Sequence, residues 1–172
     1  MSHEKLTALG RFTMECVGAD GQVKWTATEH NLVVNTGLQY MCGSALTSTT
    51  QITTWYLGLY GAGASNTPAA GDTSALHPGW TEITPYSNGV RPTCSFAAAT
   101  LANPSVATNS ASVAAFNINA PATVGGAFLI SNNTKGGSTG TLFSAADFQS
   151  PGDRTVVSGD TLNVTYTLSL AG

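Results

Sequence analysis

Charge is what this chain has least of. Only 9% of its 172 residues are Asp, Glu, Lys or Arg, against roughly 25% in an average domain. Its six cations, Lys5, Arg11, Lys24, Arg91, Lys135 and Arg154, are scattered and build no basic patch. Neutralising phosphates requires clustered cations, so no nucleic-acid partner is expected. No apolar run approaches the roughly 18 residues of a membrane span, so no membrane partner is expected either. The opening Met1-Ser2-His3-Glu4-Lys5-Leu6-Thr7 lacks the apolar core of a signal peptide, and the chain is expected to be made in, and stay soluble in, the cytoplasm. Cysteine is scarce as well. Cys16, Cys42 and Cys94 share no metal-ligand spacing; three reduced, mostly buried thiols are expected, with one disulfide as the alternative.

Ser, Thr, Asn, Gly and Ala fill the vacancy, while hydrophobic content stays at an ordinary 42%. A surface of small uncharged polar groups costs little to desolvate, which suits a protein that buries its outside against partners. A secreted or cell-surface β domain with a polar coat is the other reading. The length fits one domain over residues 1–172, with 1–30 as an N-terminal hairpin or arm.

The clearest pattern is near the end. After the turn Ser158-Gly159-Asp160, Leu162, Val164, Tyr166, Leu168 and Leu170 alternate with Thr161, Asn163, Thr165, Thr167 and Ser169. A period of two puts the apolar set on one face of a strand and the polar set on the other. The polar set carries no charge, so that strand is poorly defended against association, and a neighbouring subunit or a loop of the same chain is expected over it. Leu6–Val17 and Val23–Glu29 read as a hairpin around Gly18-Ala19-Asp20-Gly21. In the return strand Val23, Trp25 and Ala27 share one face. Asn35–Leu46 is the one helix candidate, with Asn35 as N-cap and Leu38, Met41, Cys42 and Ala45 on its apolar face.

Trp55–Tyr60 is an apolar strand in which Gly58 predicts a bulge or a close backbone contact. Further strands are expected at Thr81–Thr84, Thr93–Thr100, Ser110–Ala120, Val124–Ser131, Thr141–Ala145 and Thr155–Val157. In Ser110–Ala120 the inward residues are read as Ala111, Val113 and Ala115, with Phe116 and Ile118 beyond a phase shift. Asn132–Gly140 reads as a mobile, exposed loop. The fold class that follows is all-β: an antiparallel β-sandwich of jelly-roll type, with about nine or ten strands and one short helix.

Chemistry is thinly signalled. Asp72, His77, Trp80 and Glu82 are types found in metal and acid–base sites, but their spacing fits no ligand pattern, and structural hydrogen bonding is the preferred reading. His3 and His30 have no Cys or carboxylate pattern nearby. Gly61-Ala62-Gly63 lacks the strand–glycine–helix context of a phosphate loop. No Gly-x-Ser-x-Gly turn is present. Trp25, Trp55, Tyr56, Trp80 and Tyr86 would serve a carbohydrate-binding module as a stacking platform, although strand aromatics more often fill a core. No catalytic, cofactor-binding or metal-binding residue is assigned, no cofactor is expected, and the chain is read as not an enzyme.

Three stretches carry a family resemblance. Asn31-Leu32-Val33-Val34-Asn35-Thr36-Gly37-Leu38 precedes Trp55-Tyr56-Leu57-Gly58-Leu59-Tyr60. Next come Asp72-Thr73-Ser74-Ala75-Leu76-His77-Pro78-Gly79-Trp80-Thr81-Glu82 and Tyr86-Ser87. Last are Ala127-Phe128-Leu129-Ile130 and Ser158-Gly159-Asp160-Thr161-Leu162-Asn163-Val164-Thr165-Tyr166. Together they resemble small structural proteins of tailed bacteriophages, in particular head decoration (cement) proteins of podovirus-like virions. The resemblance covers roughly residues 30 to 170 of the sequence and implies a jelly-roll sandwich on the capsid surface. Its implied partners are the major capsid protein and further copies of itself, as a dimer or trimer; it implies no catalytic residue. The N-terminal segment and the Gly61–Glu82 excursion are the expected contact surfaces. A tail, collar or fibre component is the alternative location.

Overall fold

The protein is described here from a computed structural model covering residues 5–62, 67–149 and 152–172. His3 and Gly63 lie outside the described residues, as do the other residues of 63–66 within the Gly61–Glu82 excursion. The elements run β1 (Thr7–Val17), β2 (Val23–His30), β3 (Leu32–Val33), α1 (Asn35–Leu46), β4 (Trp55–Gly61), β5 (Glu82–Ile83) and β6 (Thr93–Cys94). They continue with β7 (Ser105–Thr108), β8 (Ala114–Asn117), β9 (Ala122–Ile130), β10 (Leu142–Asp147), β11 (Arg154–Val156) and β12 (Thr161–Ala171). The first sheet has the order β2-β1-β12-β7, with β8 also on β12; the second has β3-β10-β9-β4-β5, with β11 on β9 and β6 on β4. The pairings are antiparallel, so this is the all-β antiparallel sandwich with one helix that the patterning predicts. Two-residue strands such as β3, β5 and β6 raise the count to twelve among the described residues.

The sheets meet through their apolar faces. Phe12, Met14 and Cys16 of β1 and Leu162, Val164 and Tyr166 of β12 are fully buried against the second sheet. Each side chain of this size contributes about 1.5–3 kcal/mol when removed from water. The N-terminal hairpin is part of this wall. β1 lies between β2 and β12 and pairs with β12 along its whole length, from Thr7 opposite Ala171 to Val17 opposite Thr161. The alternation in β2 breaks where Cys16 pairs with Trp25 but Val17 pairs with Val23, leaving Lys24 as an extra residue. That bulge sends Val23 out to 54% exposure instead of inward with Trp25 and Ala27.

β12 has both edges covered. β8 pairs with Thr161–Val164 and β7 with Thr167–Leu170. Between them Asn109, fully buried, completes the ladder with its side chain: Tyr166 N donates to Asn109 Oδ1 at 2.7 Å, and Asn109 Nδ2 donates to Val164 O at 3.2 Å. The expected strand over Ser110–Ala120 therefore starts late. Ser112 N donates to Asn109 O to close a turn, Val113 points outward at 43% exposure, and Ala114, Phe116 and Ile118 point in. Edge association at β12 is ruled out by this pairing. Its polar residues Thr161, Asn163, Thr165, Thr167 and Ser169 remain half-exposed on the open face of the sheet.

The second sheet is buried on both faces. Its outer face, with Tyr60, Phe128, Ile130 and Ala145, is covered by Trp80 from the β4–β5 excursion and by Val34. Phe128 lies directly over Gly58, where a Cβ would collide with the ring, so the glycine marks a close approach.

In α1 the expected apolar face is turned outward. Leu38 is 46% exposed and Cys42 and Ala45 are exposed, whereas Met41 keeps the expected contact with the core and Gly37 and Gly43 are buried. The reason is Gly37: without a side chain there, the helix backbone comes against the Phe143 carbonyl of β10. Asn35 is the first helical residue and not the cap; Val34 holds the cap position without a side-chain bond, and Asn35 N donates to Ala70 O.

Candidate functional site

The acidic, histidine and tryptophan residues singled out in the sequence separate into two structural clusters. In the first, Trp80 Nε1 donates to Asp72 Oδ2 at 2.8 Å, and Ala69 N donates to the same oxygen at 3.0 Å. The His77 ring stacks on Trp80 at 3.8 Å between centroids, and its Nδ1 lies 2.8 Å from Trp80 O. Asp72 and Trp80 are each 4% exposed. These bonds shape the excursion into a lid and lock Trp80 down on Tyr60 and Phe128.

Glu82 belongs to the second cluster. Its carboxylate takes a two-pronged bond from Arg91, Nε to Oε1 at 2.9 Å and Nη2 to Oε2 at 2.6 Å. Arg91, 1% exposed, also donates to Asn132 O and Gly137 O, and Gly136 N donates to Glu82 Oε2. Lys135 Nζ donates to Tyr86 O and Asn88 O and sits 4.0 Å over the Tyr86 ring. The Asn132–Gly140 loop is thus tied to the sheet edge through both cations, in place of the mobile loop its composition suggests. The guanidinium, with each of its three nitrogens bonded and its charge matched by Glu82, satisfies the requirement that a buried charge be paired.

The five aromatics do not share a surface. Trp80 and Tyr86 are buried; Trp55 packs edge-on to Tyr40 and Phe143, and Trp25 edge-on to Phe148 on the far side of the core. His30 is exposed at the end of β2, opposite Arg11. Among the described residues, no three His, Cys, Asp or Glu side chains are placed to hold a metal ion.

The thiols are free: Cys16 and Cys94 are buried and Cys42 is exposed. Burial pushes the Cys94 thiol up to about 12, and burial followed by the Asp160 charge pushes Cys16 up to about 11. Such thiols stay protonated and unreactive near neutrality. Asp160 is 3% exposed and accepts from Lys24 Nζ at 2.7 Å and Val157 N at 2.9 Å. Burial works against its charge, but the Lys24 bond, then Val157 N–H and the ammonium charge, win and hold its pKa below the usual value. Asp147 goes the other way, raised first by burial and then by the charges of Asp153 and Glu29.

Among the described residues, two open features bear on association. One is an apolar cleft of about 370 Å³ between the sheets, beside α1, bounded by Tyr40, Met41, Trp55, Phe96 and Leu170. The other is the outer face of the first sheet, formed by the outward residues of β2, β1, β12, β8 and β7. Hydroxyl pairs link its strands, Thr28 to Thr13 at 3.3 Å and Thr108 to Thr167 at 3.0 Å. The loops carrying Pro104 and Val113 flank this face. Patterning located the β12 share of it; the alignment of that share with β1 and β2 depends on long-range pairing, which no local signal reports. The chain matches no protein-family model, no curated protein and no solved structure.

Proposed function

We propose that this chain is a structural protein of a tailed-bacteriophage virion, without enzymatic activity, that decorates the head and cements neighbouring capsid subunits. The observation that carries the reading is the outer face of the first sheet: broad, rigidly paired and nearly free of charge. The family resemblance of the sequence supports it as well. Covering such a face strips few ions of water, so little of the gain from contact is lost to desolvation. An interface of roughly 1,600 Å² is enough for a specific complex, and repetition over a lattice adds avidity. The partners are the major capsid protein and further copies of this chain, and the location is the capsid surface after synthesis in the host cytoplasm. The contact surfaces are the N-terminal hairpin, through its share of the open face, and the outside of the Gly61–Glu82 excursion, where Leu76 stands 66% exposed. The solvent side of α1, with Leu38 and Leu46, offers a third apolar contact.

Imaging of assembled particles tests this. Ordered copies on the shell surface are expected. Absence of the chain from purified virions overturns the proposal, and a few copies confined to a tail or collar would move it there.

A further inference from the structure

The open face of the first sheet is complementary to itself. Along β1 its outward residues are Leu9, Arg11, Thr13, Glu15 and Val17. Along β12 the residues opposite them are Ser169, Thr167, Thr165, Asn163 and Thr161. Reversed end for end about Thr13 and Thr165, each row meets an acceptable partner. Arg11 falls on Glu15, Leu9 on Val17, Thr167 on Asn163, and Ser169 on Thr161. His30, opposite Arg11, falls on Thr26 of the neighbouring β2 row. Of the two charges on β2, Glu29 lies on the other face, opposite Phe12, and Lys24 is turned into its 2.7 Å pair with Asp160. Among the described residues Arg11 has no ion-pair partner within its own chain.

We propose that two copies of this chain associate through this face, sheet on sheet, about a two-fold axis that lies between the sheets and runs across the strands at Thr13 and Thr165. In this arrangement Arg11 of each copy meets Glu15 of the other. A two-fold interface requires one patch to fit its own reverse, and a cation and an anion equally spaced about the axis meet that requirement. The alternative axis, along the strands, sets Arg11 over Thr167 and loses both charge contacts. Stacked sheets lie about 10 Å apart, a gap that an Arg and a Glu side chain span together. The area is adequate too. β1 and β12 with eleven residues each, and β2 and the β8–β7 row with eight each, at about 3.4 Å per residue and about 4.8 Å between strands, give roughly 600 Å² per copy. A standard interface buries about 800 Å² per partner. This inference rests on the oligomer in the proposed function, and its test uses free protein, so that loss of the dimer and loss of shell binding are separate results.

The test is sedimentation of the full chain and of two charge-reversed variants, Arg11→Glu and Glu15→Arg. The wild-type chain is expected to be a dimer at about 10 µM, within the range of a standard interface. Each variant alone sets like charges against each other twice, and its association is expected to weaken at least about tenfold. An equimolar mixture of the two variants restores all contacts and is expected to give a heterodimer, as is the double variant R11E/E15R with itself. Arg11 is exposed, and Glu15, half-buried, accepts only a long 3.4 Å bond from Asn163 Nδ2, so the circular dichroism of the variants should match the wild type. A wild-type monomer at that concentration, variants that dimerise like the wild type, or a mixture that stays monomeric overturns the inference. A dimer that never occupies a shell overturns only the proposed function.

Discussion

Truncating Asn109 to Ala should be among the most damaging single changes outside the apolar core. The side chain fills the place where β7 ends and β8 begins, so its loss strands Tyr166 N–H and Val164 C=O beside two buried residues. A buried polar group left unpaired costs about 1–3 kcal/mol, so two give about 2–6 kcal/mol. For a domain of this size each kcal/mol lowers Tm by about 2–4 °C, so a drop of about 4–24 °C is expected. Urea unfolding would measure the free energy, and hydrogen exchange at the Tyr166 amide would show whether the loss is local to the gap. Asn109→Asp keeps the acceptor for Tyr166 N but turns the donor to Val164 O into an oxygen. It should be no less destabilising at neutral pH and should recover in part once the new carboxyl is protonated. A loss below about 0.5 kcal/mol for Asn109→Ala, the size of a neutral surface change, with unchanged exchange at Tyr166, would refute the bridging role.

The two perturbed carboxyls should give opposite pH signatures. Asp160, held below its usual pKa, contributes stability above the ordinary Asp range, near 3.9, and that contribution fades as pH falls through its lowered value. Asp160→Asn should therefore flatten the acid limb of a plot of Tm against pH; an unchanged limb would count against the Lys24 pairing. Asp147, raised by burial and by Asp153 and Glu29, is uncomfortable as an anion, so Asp147→Asn should raise Tm at pH 7. That gain should vanish as pH falls below the ordinary Asp range, and a loss of stability at pH 7 would contradict the assigned cause. Gly37→Ala gains helix propensity of about 1 kcal/mol but drives a methyl into the Phe143 carbonyl, so a net loss of about 1–3 kcal/mol is expected in urea unfolding. A more stable variant would show that α1 does not need its close approach.

Legibility in the sequence followed the range of the forces. β12 was readable because its alternation is local and unbroken over Thr161–Ala171. β1 and β2 were readable as a hairpin for the same reason. Their misread positions have non-local causes. Val23 leaves the core because of a bulge in pairing, and Val113 because Asn109 is tied to a strand more than fifty residues away. α1 was placed correctly but oriented wrongly, since a hydrophobic pattern assumes that bulk turns inward, and here a glycine decides the contact. Asp72, His77, Trp80 and Glu82 stand out by residue type as one cluster, and only the fold separates the lid clasp of Asp72 and Trp80 from the loop anchor that Glu82 makes with Arg91. The self-complementary spacing of Arg11 and Glu15 was present in the sequence throughout. It acquires meaning only once both side chains are known to share an open face.

The register of β1 on β12 also sets how the molecule bears force. Thr7 stands opposite Ala171 and Val17 opposite Thr161, so the two ends of the described chain leave the sandwich side by side. Tension applied through them peels this ladder open like a zip, one pair after another. Load entering through the flat of the sheet and running along the strands must instead slide all eleven pairs together. A protein held by that flat is gripped in its mechanically strong direction, and one tethered by its ends is pulled in its weak one.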